Sequence, residues 1–316
     1  MMKKINDIIG DAKTIGIAGH LRPDGDCMGS CMSLYNYLKK NRPDLDVRVF
    51  LEFVDKKFNI IENTDQIITT GYDGTKFDLF ISLDTASLDR LGLNMPFYEN
   101  AKRTACIDHH ASNDGYADYN YILPKASSAS EVLYDLLDED LIDKSIAEPM
   151  YMGIAHDSGV FRFQSTTPKT MRIAANMIEK GVNVNMILEE TFFRKTYNQM
   201  MVTAKIQSEA VLALDGKCIY GYCTSEMMEE YGVTTKDLDA VVASIRNVDG
   251  VEVAMFLYQL SEDSYKVSLR SKNYVDVSKI AVENGGGGHV RAAGAEIHGE
   301  LNDIINKLLN RIKQDI

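Results

Sequence analysis

Six histidines occur in the chain, and four of them, His20, His109, His110 and His156, stand within a few residues of an aspartate. The segment His20-Leu21-Arg22-Pro23-Asp24-Gly25-Asp26 offers one imidazole and two carboxylates. Asp84 closes an apolar run, Asp108-His109-His110 closes another, and Asp157 stands in His156-Asp157-Ser158-Gly159. Carboxylates that converge repel one another and raise each other's pKa unless a positive charge lies among them. A divalent cation is the natural counter-charge. Carboxylate and imidazole donors without thiolate favour Mn²⁺, with Mg²⁺, Co²⁺ or Zn²⁺ as alternatives. His20, Asp24, Asp26, Asp84, His109 and Asp157 make six candidate ligands, too many for one ion. Two ions about 3.5–4 Å apart, sharing one carboxylate, would use them all and suit in-line displacement at phosphorus.

A second signal is the run Asn284-Gly285-Gly286-Gly287-Gly288-His289-Val290-Arg291-Ala292-Ala293-Gly294. Consecutive glycines can aim several backbone N–H groups at one point and form an anion nest. Gly286, Gly287 and Gly288 would supply that nest, while His289 and Arg291 add side-chain donors for phosphate oxygens.

These groups need a scaffold that gathers them. Apolar runs at 14–19, 46–51, 78–84 and 103–108 read as strands, and 30–40, 130–137 and 149–154 read as helices, with 20–29 as a loop. Thr167 and Pro168 open a further helix that Gly181 ends. Strands alternating with helices predict an α/β fold with a doubly wound, mainly parallel, Rossmann-like sheet. Ligands bind such sheets outside the carboxyl ends of the strands, which would bring Asp24, Asp26, Asp84 and Asp108 to one rim. The expected organisation is a catalytic, metal-binding domain over 1–184, a helical linker over 185–212 and a smaller C-terminal α/β domain over 213–316. In that second domain 218–223, 251–260 and 264–271 read as strands and 236–247, 276–283 and 301–312 as helices.

Composition narrows the partners. The 316 residues carry a formal net charge of −12 and no basic block. Long nucleic acid is therefore excluded as a partner, since its binding needs a basic face, whereas a short phosphorylated substrate is allowed. No apolar run approaches the ~18 residues of a membrane span, and the polar N-terminus lacks a signal-peptide core, so a cytoplasmic location is expected. Five cysteines, an odd number without a C-x-x-C pair, predict free thiols.

Taken together, these elements resemble the DHH phosphoesterase superfamily. The resemblance runs through the H-x-R-P-D-G-D-x-x-G-S element at 20–30, the lone Asp84, the D-H-H triplet Asp108-His109-His110 followed by Ala111-Ser112-Asn113, the D-[ST]-G-x-F-R element at 157–162, and G-G-G-H-x-x-A-A-G at 286–294. It implies two Mn²⁺ ions, one held by His20, Asp24 and Asp84 and the other by Asp26, Asp84, His109 and Asp157, with Asp84 bridging. Asp108 would orient a neighbouring imidazole, and His110, Asn113 and Arg162 would contact phosphate. His289, the glycine N–H groups, Arg291 and, more weakly, Arg270 would grip substrate from the second domain. The branch it resembles hydrolyses short oligoribonucleotides, of about two to five nucleotides, to mononucleotides, and 3′-phosphoadenosine 5′-phosphate (pAp) to AMP. In that mechanism the leaving ribose oxygen is protonated by solvent or by His110. A dedicated phosphodiesterase for cyclic di-AMP or its linear product pApA shares the same motifs, and a non-catalytic nucleotide sensor would lack the ligands that are present here. A homodimer is expected by family analogy alone. His156 departs from the family pattern, where a small polar residue is expected, and reads as a neighbour of the site.

Overall fold

The computed structural model describes residues 4–238 and 241–316, which form two compact units dividing between Arg194 and Lys195. The first three residues, on which the absence of a signal-peptide core partly rests, lie outside the described residues. So do Asp239 and Ala240 of the expected 236–247 helix.

In the first unit six parallel strands lie in the order β3-β2-β1-β4-β5-β6. They are β1 (Thr14–Ala18), β2 (Asp46–Phe50), β3 (Ile67–Ile68), β4 (Leu79–Leu83), β5 (Thr104–Asp108) and β6 (Tyr119–Ile122). The chain winds outward from β1 to β3, then returns to place β4 on the other side of β1. The point of reversal lies between β1 and β4, where open α/β sheets bind their ligands. The strands are apolar on both faces because both faces are covered. Ile15, Ile17 and Ile81 face one core, and Phe80 joins Phe50, Phe77 and Phe97 in another. The two edge strands β3 and β6 are short and only partly buried, and carry no continuous apolar run to announce them.

Seven helices accompany this sheet: α1 (Ile5–Ile9), α2 (Gly25–Asn41), α3 (Met95–Glu99), α4 (Ala129–Leu136), α5 (Lys144–Asp157), α6 (Pro168–Glu179) and α7 (Val184–Leu188). The segment expected as a loop over 20–29 is in part helix: α2 starts at Gly25 because Asp24 caps it, its Oδ1 accepting from Asp26 N at 3.0 Å and Cys27 N at 3.1 Å. Helices α2 and α5 touch backbone to backbone. A Cβ on Gly29 would fall 2.5 Å from Pro149 O and 2.8 Å from Gly153 Cα. Pro149, inside α5, cannot bond the carbonyl of Ser145, and Asn36 Nδ2 donates to that oxygen at 2.8 Å instead. Thr167 caps α6, and Gly181 follows it at φ +97°.

The 185–212 stretch is not one helix. Helix α7 runs into a single π-helical turn (Glu189–Phe193), and α8 (Tyr197–Glu209) begins anew. The break is set by Thr196 and Gln199, whose side chains form a capping box that starts a helix wherever it occurs. Val202 and Ile206 bury α8 in the core of the second unit with Ile219 and Ile245.

The second unit is built on a six-stranded mixed sheet in the order β11-β12-β10-β9-β8-β7. Its strands are β7 (Val211–Ala213), β8 (Cys218–Cys223), β9 (Val253–Ser261), β10 (Ser264–Ser271), β11 (Gly287–His289) and β12 (Ala292–His298). Helices α9 (Ser225–Tyr231), α10 (Val241–Ile245), α11 (Val277–Val282) and α12 (Leu301–Ile312) complete it. Glu252 is buried and braces the turn after β10, accepting from the backbone N–H groups of Asn273, Tyr274 and Val275 at 2.7–3.1 Å. Burial disfavours its charge, but those donors hold its carboxyl below the ordinary range.

Candidate active site

The first unit gathers the scattered ligand candidates at the carboxyl rim of its sheet. His20 follows β1, Asp84 follows β4, Asp108-His109-His110 follows β5, Asp24 and Asp26 stand at the start of α2, and Asp157 ends α5. Asp84 is 3% exposed and has φ +52°, a left-handed conformation that a non-glycine residue keeps only where its surroundings hold it. Its N–H donates to Ile107 O at 3.1 Å, which fixes the carboxylate at the reversal point of the sheet.

Asp84 faces two groups of donors. Oδ2 lies 3.5 Å from His20 Nε2, and that nitrogen lies 3.7 Å from Asp24 Oδ1. Oδ1 lies 3.4 Å from His109 Nε2, which in turn stands 3.4 Å from Asp157 Oδ2 and 4.0 Å from Asp26 Oδ2. His20, Asp24 and Asp84, and separately Asp26, His109 and Asp157, each place one donor atom within 4.8 Å of the others. His20 Nδ1 is turned to Leu21 O at 2.7 Å, so Nε2 is the nitrogen presented to the carboxylates.

This donor set fits divalent cations. Donors bound to one ion at about 2.1 Å stand roughly 3–4 Å apart, the spacing seen here and too long for direct hydrogen bonds. Asp84 Oδ1 is buried and has no hydrogen-bond partner, an expensive state for a carboxylate oxygen unless a cation lies against it. Charge tells the same story. Burial opposes a proton on His109, yet Asp84 and Asp157 beside it hold its pKa up at about 10. Burial likewise opposes a charged His20, and Cys27, Asp24 and Asp84 together outweigh it and drive its pKa upward. Asp26, 1% exposed, is pushed to about 7 by burial and by Asp84. The clustered carboxylates favour positive charge among them.

Other donors shape the ligands. Asp26 is seated on the N-terminus of α4: Ala129 N donates to Oδ2 at 2.6 Å, and Ser130 N and Oγ to Oδ1 at 3.0 and 2.6 Å. Asp108 is fully buried, with Oδ1 2.8 Å from His110 Nδ1 and Oδ2 accepting from Asn113 Nδ2 at 2.7 Å. Asn113 was expected at phosphate, but the structure turns it inward. Its amide also donates to Thr85 O, and its oxygen accepts from Gly115 N. His110 lies beside Asp84 at 3.7 Å. Arg162 is exposed in the loop after Asp157, its Nε donating to Gly159 O at 3.0 Å.

In the second unit the glycine run is not a converging nest. Gly287–His289 is an exposed edge strand paired with β12, joined to it through Val290 and Arg291. Gly286 and Gly288 are required because β12 runs where their side chains would be: a Cβ on Gly286 would fall 2.1 Å from Gly294 O, and one on Gly288 2.5 Å from Ala292 O, whereas one on Gly287 would meet open space. His289 is exposed on this strand. Arg291 braces the hairpin, its Nη1 donating to Val275 O at 2.7 Å, and Arg270 Nη1 donates to Leu269 O at 3.0 Å.

Sequence reading missed three neighbours of the cluster. Ser130, with Ala129, reaches Asp26 across more than a hundred positions, a separation at which no spacing rule operates. Arg90 places Nη2 3.4 Å from His20 Nδ1, and its carbonyl accepts from Leu21 N at 2.7 Å. Thr191 takes the Nε2 side of His156 at 2.8 Å.

The first unit is thus a parallel sheet that carries paired Asp/His clusters at its switch point, and a second, mixed-sheet unit follows it in the chain. Residues 14–154 match the DHH family N-terminal domain and residues 215–315 the DHHA1 domain, and the chain belongs to the DHH family. Within it, the chain is 31% identical over 313 residues to the bifunctional oligoribonuclease and PAP phosphatase NrnA of Thermus thermophilus, covering 96% of this chain and 90% of that protein. It is 27% identical to the Bacillus subtilis protein of the same name, over 90% of each. Among solved structures, an exopolyphosphatase-related protein from Bacteroides fragilis shares the fold, with a TM-score of 0.89, 23% identity, and coverage of 98% of this chain and 95% of that one. Among the described residues, no helix is long and apolar enough to cross a membrane.

Proposed function

We propose that this chain is a two-metal phosphoesterase that hydrolyses short oligoribonucleotides to mononucleotides and pAp to AMP, as its NrnA relatives are named for doing. The observation that carries the reading is Asp84, whose two oxygens face separate donor clusters and one of which is buried without a hydrogen bond. His20, Asp24 and Asp84 would hold one Mn²⁺, and Asp26, Asp84, His109 and Asp157 the other. Such a pair, when bound, supplies an activated water near neutral pH and counter-charge for the phosphoryl oxygens.

The chain's own groups do the rest. Asp108 takes Nδ1 of His110 and so orients that ring, and the leaving ribose oxygen is protonated by His110 or by solvent. Asn113 supports this by holding Asp108 from behind. Arg162 meets a phosphate at the rim. In the second unit, His289 and the exposed backbone of Gly287 and Gly288 are assigned to substrate binding, and Arg291 keeps their hairpin rigid. The net charge of −12 suits a short substrate over a long strand. The five buried free cysteines suit a reducing compartment such as the cytoplasm.

A side-by-side assay with Mn²⁺ on pAp, pApA, a five-nucleotide RNA and cyclic di-AMP tests the reading. Release of AMP from pAp and pApA and of mononucleotides from the RNA is expected. Turnover of cyclic di-AMP or pApA without turnover of pAp and the RNA would replace it with the dedicated phosphodiesterase, and tight binding without turnover with a sensor.

A further inference from the structure

The structure gives His156, a neighbour of the donor clusters, a defined place. Its Nε2 lies 2.8 Å from Thr191 Oγ1, and that hydroxyl donates its only proton to Ile187 O at 2.7 Å. The imidazole must therefore be the donor to Thr191, which fixes both tautomer and ring orientation. Phe192 meets the ring edge-on at 5.3 Å between centroids, and Phe58 closes another side at 5.9 Å. Thr191 and Phe192 both belong to the π-helical turn, an irregularity that recurs at functional sites.

The remaining face of the ring lies against Gly25. A Cβ on Gly25 would fall 2.1 Å from His156 Cγ and 2.3 Å from Nδ1. Gly25 is not in the left-handed region, so its backbone would accept a side chain, but His156 leaves no room for one, its own Cβ standing only 2.6 Å from that position. Gly25 also stands between Asp24, of the first donor cluster, and Asp26, of the second.

We propose that His156 is a positioning residue of the metal centre: a fixed imidazole wall, tied through Thr191 to the π-helical turn, against which the Asp24-Gly25-Asp26 turn is seated. This rests on the metal reading above and deepens it. Displacing Gly25 moves one ligand of each cluster, because Asp24 caps α2 through the N–H groups of Asp26 and Cys27. The glycine is then required by the neighbour this chain carries rather than by its own backbone. Alanine is otherwise the better residue in a helix, so with the wall removed the effect of the substitution changes sign.

The test uses the full chain as wild type, Gly25→Ala, His156→Gly, Thr191→Val and the double variant Gly25→Ala/His156→Gly, since only glycine also removes the Cβ that lies 2.6 Å from the added methyl. Mn²⁺ affinity is measured by calorimetry, beside thermal midpoints and kcat and KM on pAp. Outer residues that orient ligands change metal affinity by about 10–100-fold, and Gly25→Ala is expected to weaken Mn²⁺ binding by that much. His156→Gly and Thr191→Val weaken it by a few-fold, and the double variant regains at least about tenfold over Gly25→Ala. Wild-type affinity in Gly25→Ala, or a double variant no better than Gly25→Ala, overturns the proposal alone. Should Gly25→Ala fail to fold, the double variant must fold and bind Mn²⁺, and its failure to do so overturns the proposal as well. A wild-type chain that takes up no Mn²⁺ overturns the metal reading and this proposal with it.

Discussion

Replacing Asp108 by asparagine isolates the orientation of His110 from the metal ligands. Asp108 makes two side-chain contacts, to His110 Nδ1 at 2.8 Å and from Asn113 Nδ2 at 2.7 Å, and it is fully buried. An amide has one acceptor oxygen and one donor NH₂ where the carboxylate has two acceptors. It can keep Asn113 or His110 as a donor but not both, and facing NH₂ to His110 requires the imidazole to move its proton to Nε2 as the neutral tautomer. A hydrogen bond to a charged group is worth about 1.5–3 kcal/mol, and about 1.4 kcal/mol is a factor of ten in rate. Asp108→Asn should therefore lower kcat on pAp by roughly 10- to 150-fold, with KM changed little. Steady-state kinetics with saturating Mn²⁺, beside a thermal midpoint to confirm folding, is the assay. A folded variant whose kcat stays within about threefold of wild type would refute the assignment of His110 as a group held in place by Asp108.

Other consequences follow from the same geometry. A Cβ on Gly153 would fall 2.1 Å from Ser130 Oγ and 2.8 Å from Asp26 Oδ1. Gly153→Ala should therefore lose about 1–3 kcal/mol in urea unfolding despite its gain of about 1 kcal/mol in helix propensity, and weaken Mn²⁺ binding; a more stable variant with intact binding would sink this reading. Glu252 has its carboxyl held below the ordinary value of 4.5, so its stabilisation is complete above that value and fades as pH falls through the lowered folded pKa. Glu252→Gln should be less stable than wild type at neutral pH, with the gap narrowing below about pH 4, and a gap independent of pH would contradict the cause assigned. His289→Ala should raise KM for pAp while leaving kcat within about threefold, whereas a collapse of kcat at unchanged KM would place His289 in the chemistry rather than in binding.

How much could be read in advance depended on the range of the interaction. Strand β4 and the D-H-H triplet are legible because burial on both faces writes a continuous apolar run that stops where the ligands begin. Helix α12 (Leu301–Ile312) is legible because its apolar positions repeat at helical spacing. The start of α2 at Gly25 was hidden because a glycine and two aspartates look like a loop, although Asp24 is a good cap. Thr196 and Gln199 carried a readable signal, a capping box, that the apolar periodicity around it masked. The glycine run has the composition of a flexible loop, and only the pairing with β12 shows that close backbone approach requires Gly286 and Gly288 within it. The seat of Asp26 on Ala129 and Ser130, and of His156 on Thr191, arises from tertiary contacts that no local pattern records.

The central claim is that Asp84 joins two donor clusters into a two-ion site, and counting ions tests it most directly. Titration of Mn²⁺ into the metal-stripped protein, read by calorimetry and by native mass spectrometry, should give about two ions per chain for wild type. Asp84→Asn should bind fewer and lose turnover of pAp. A wild-type chain saturating at one ion or none, or an Asp84→Asn chain that keeps both ions and its activity, would contradict the account.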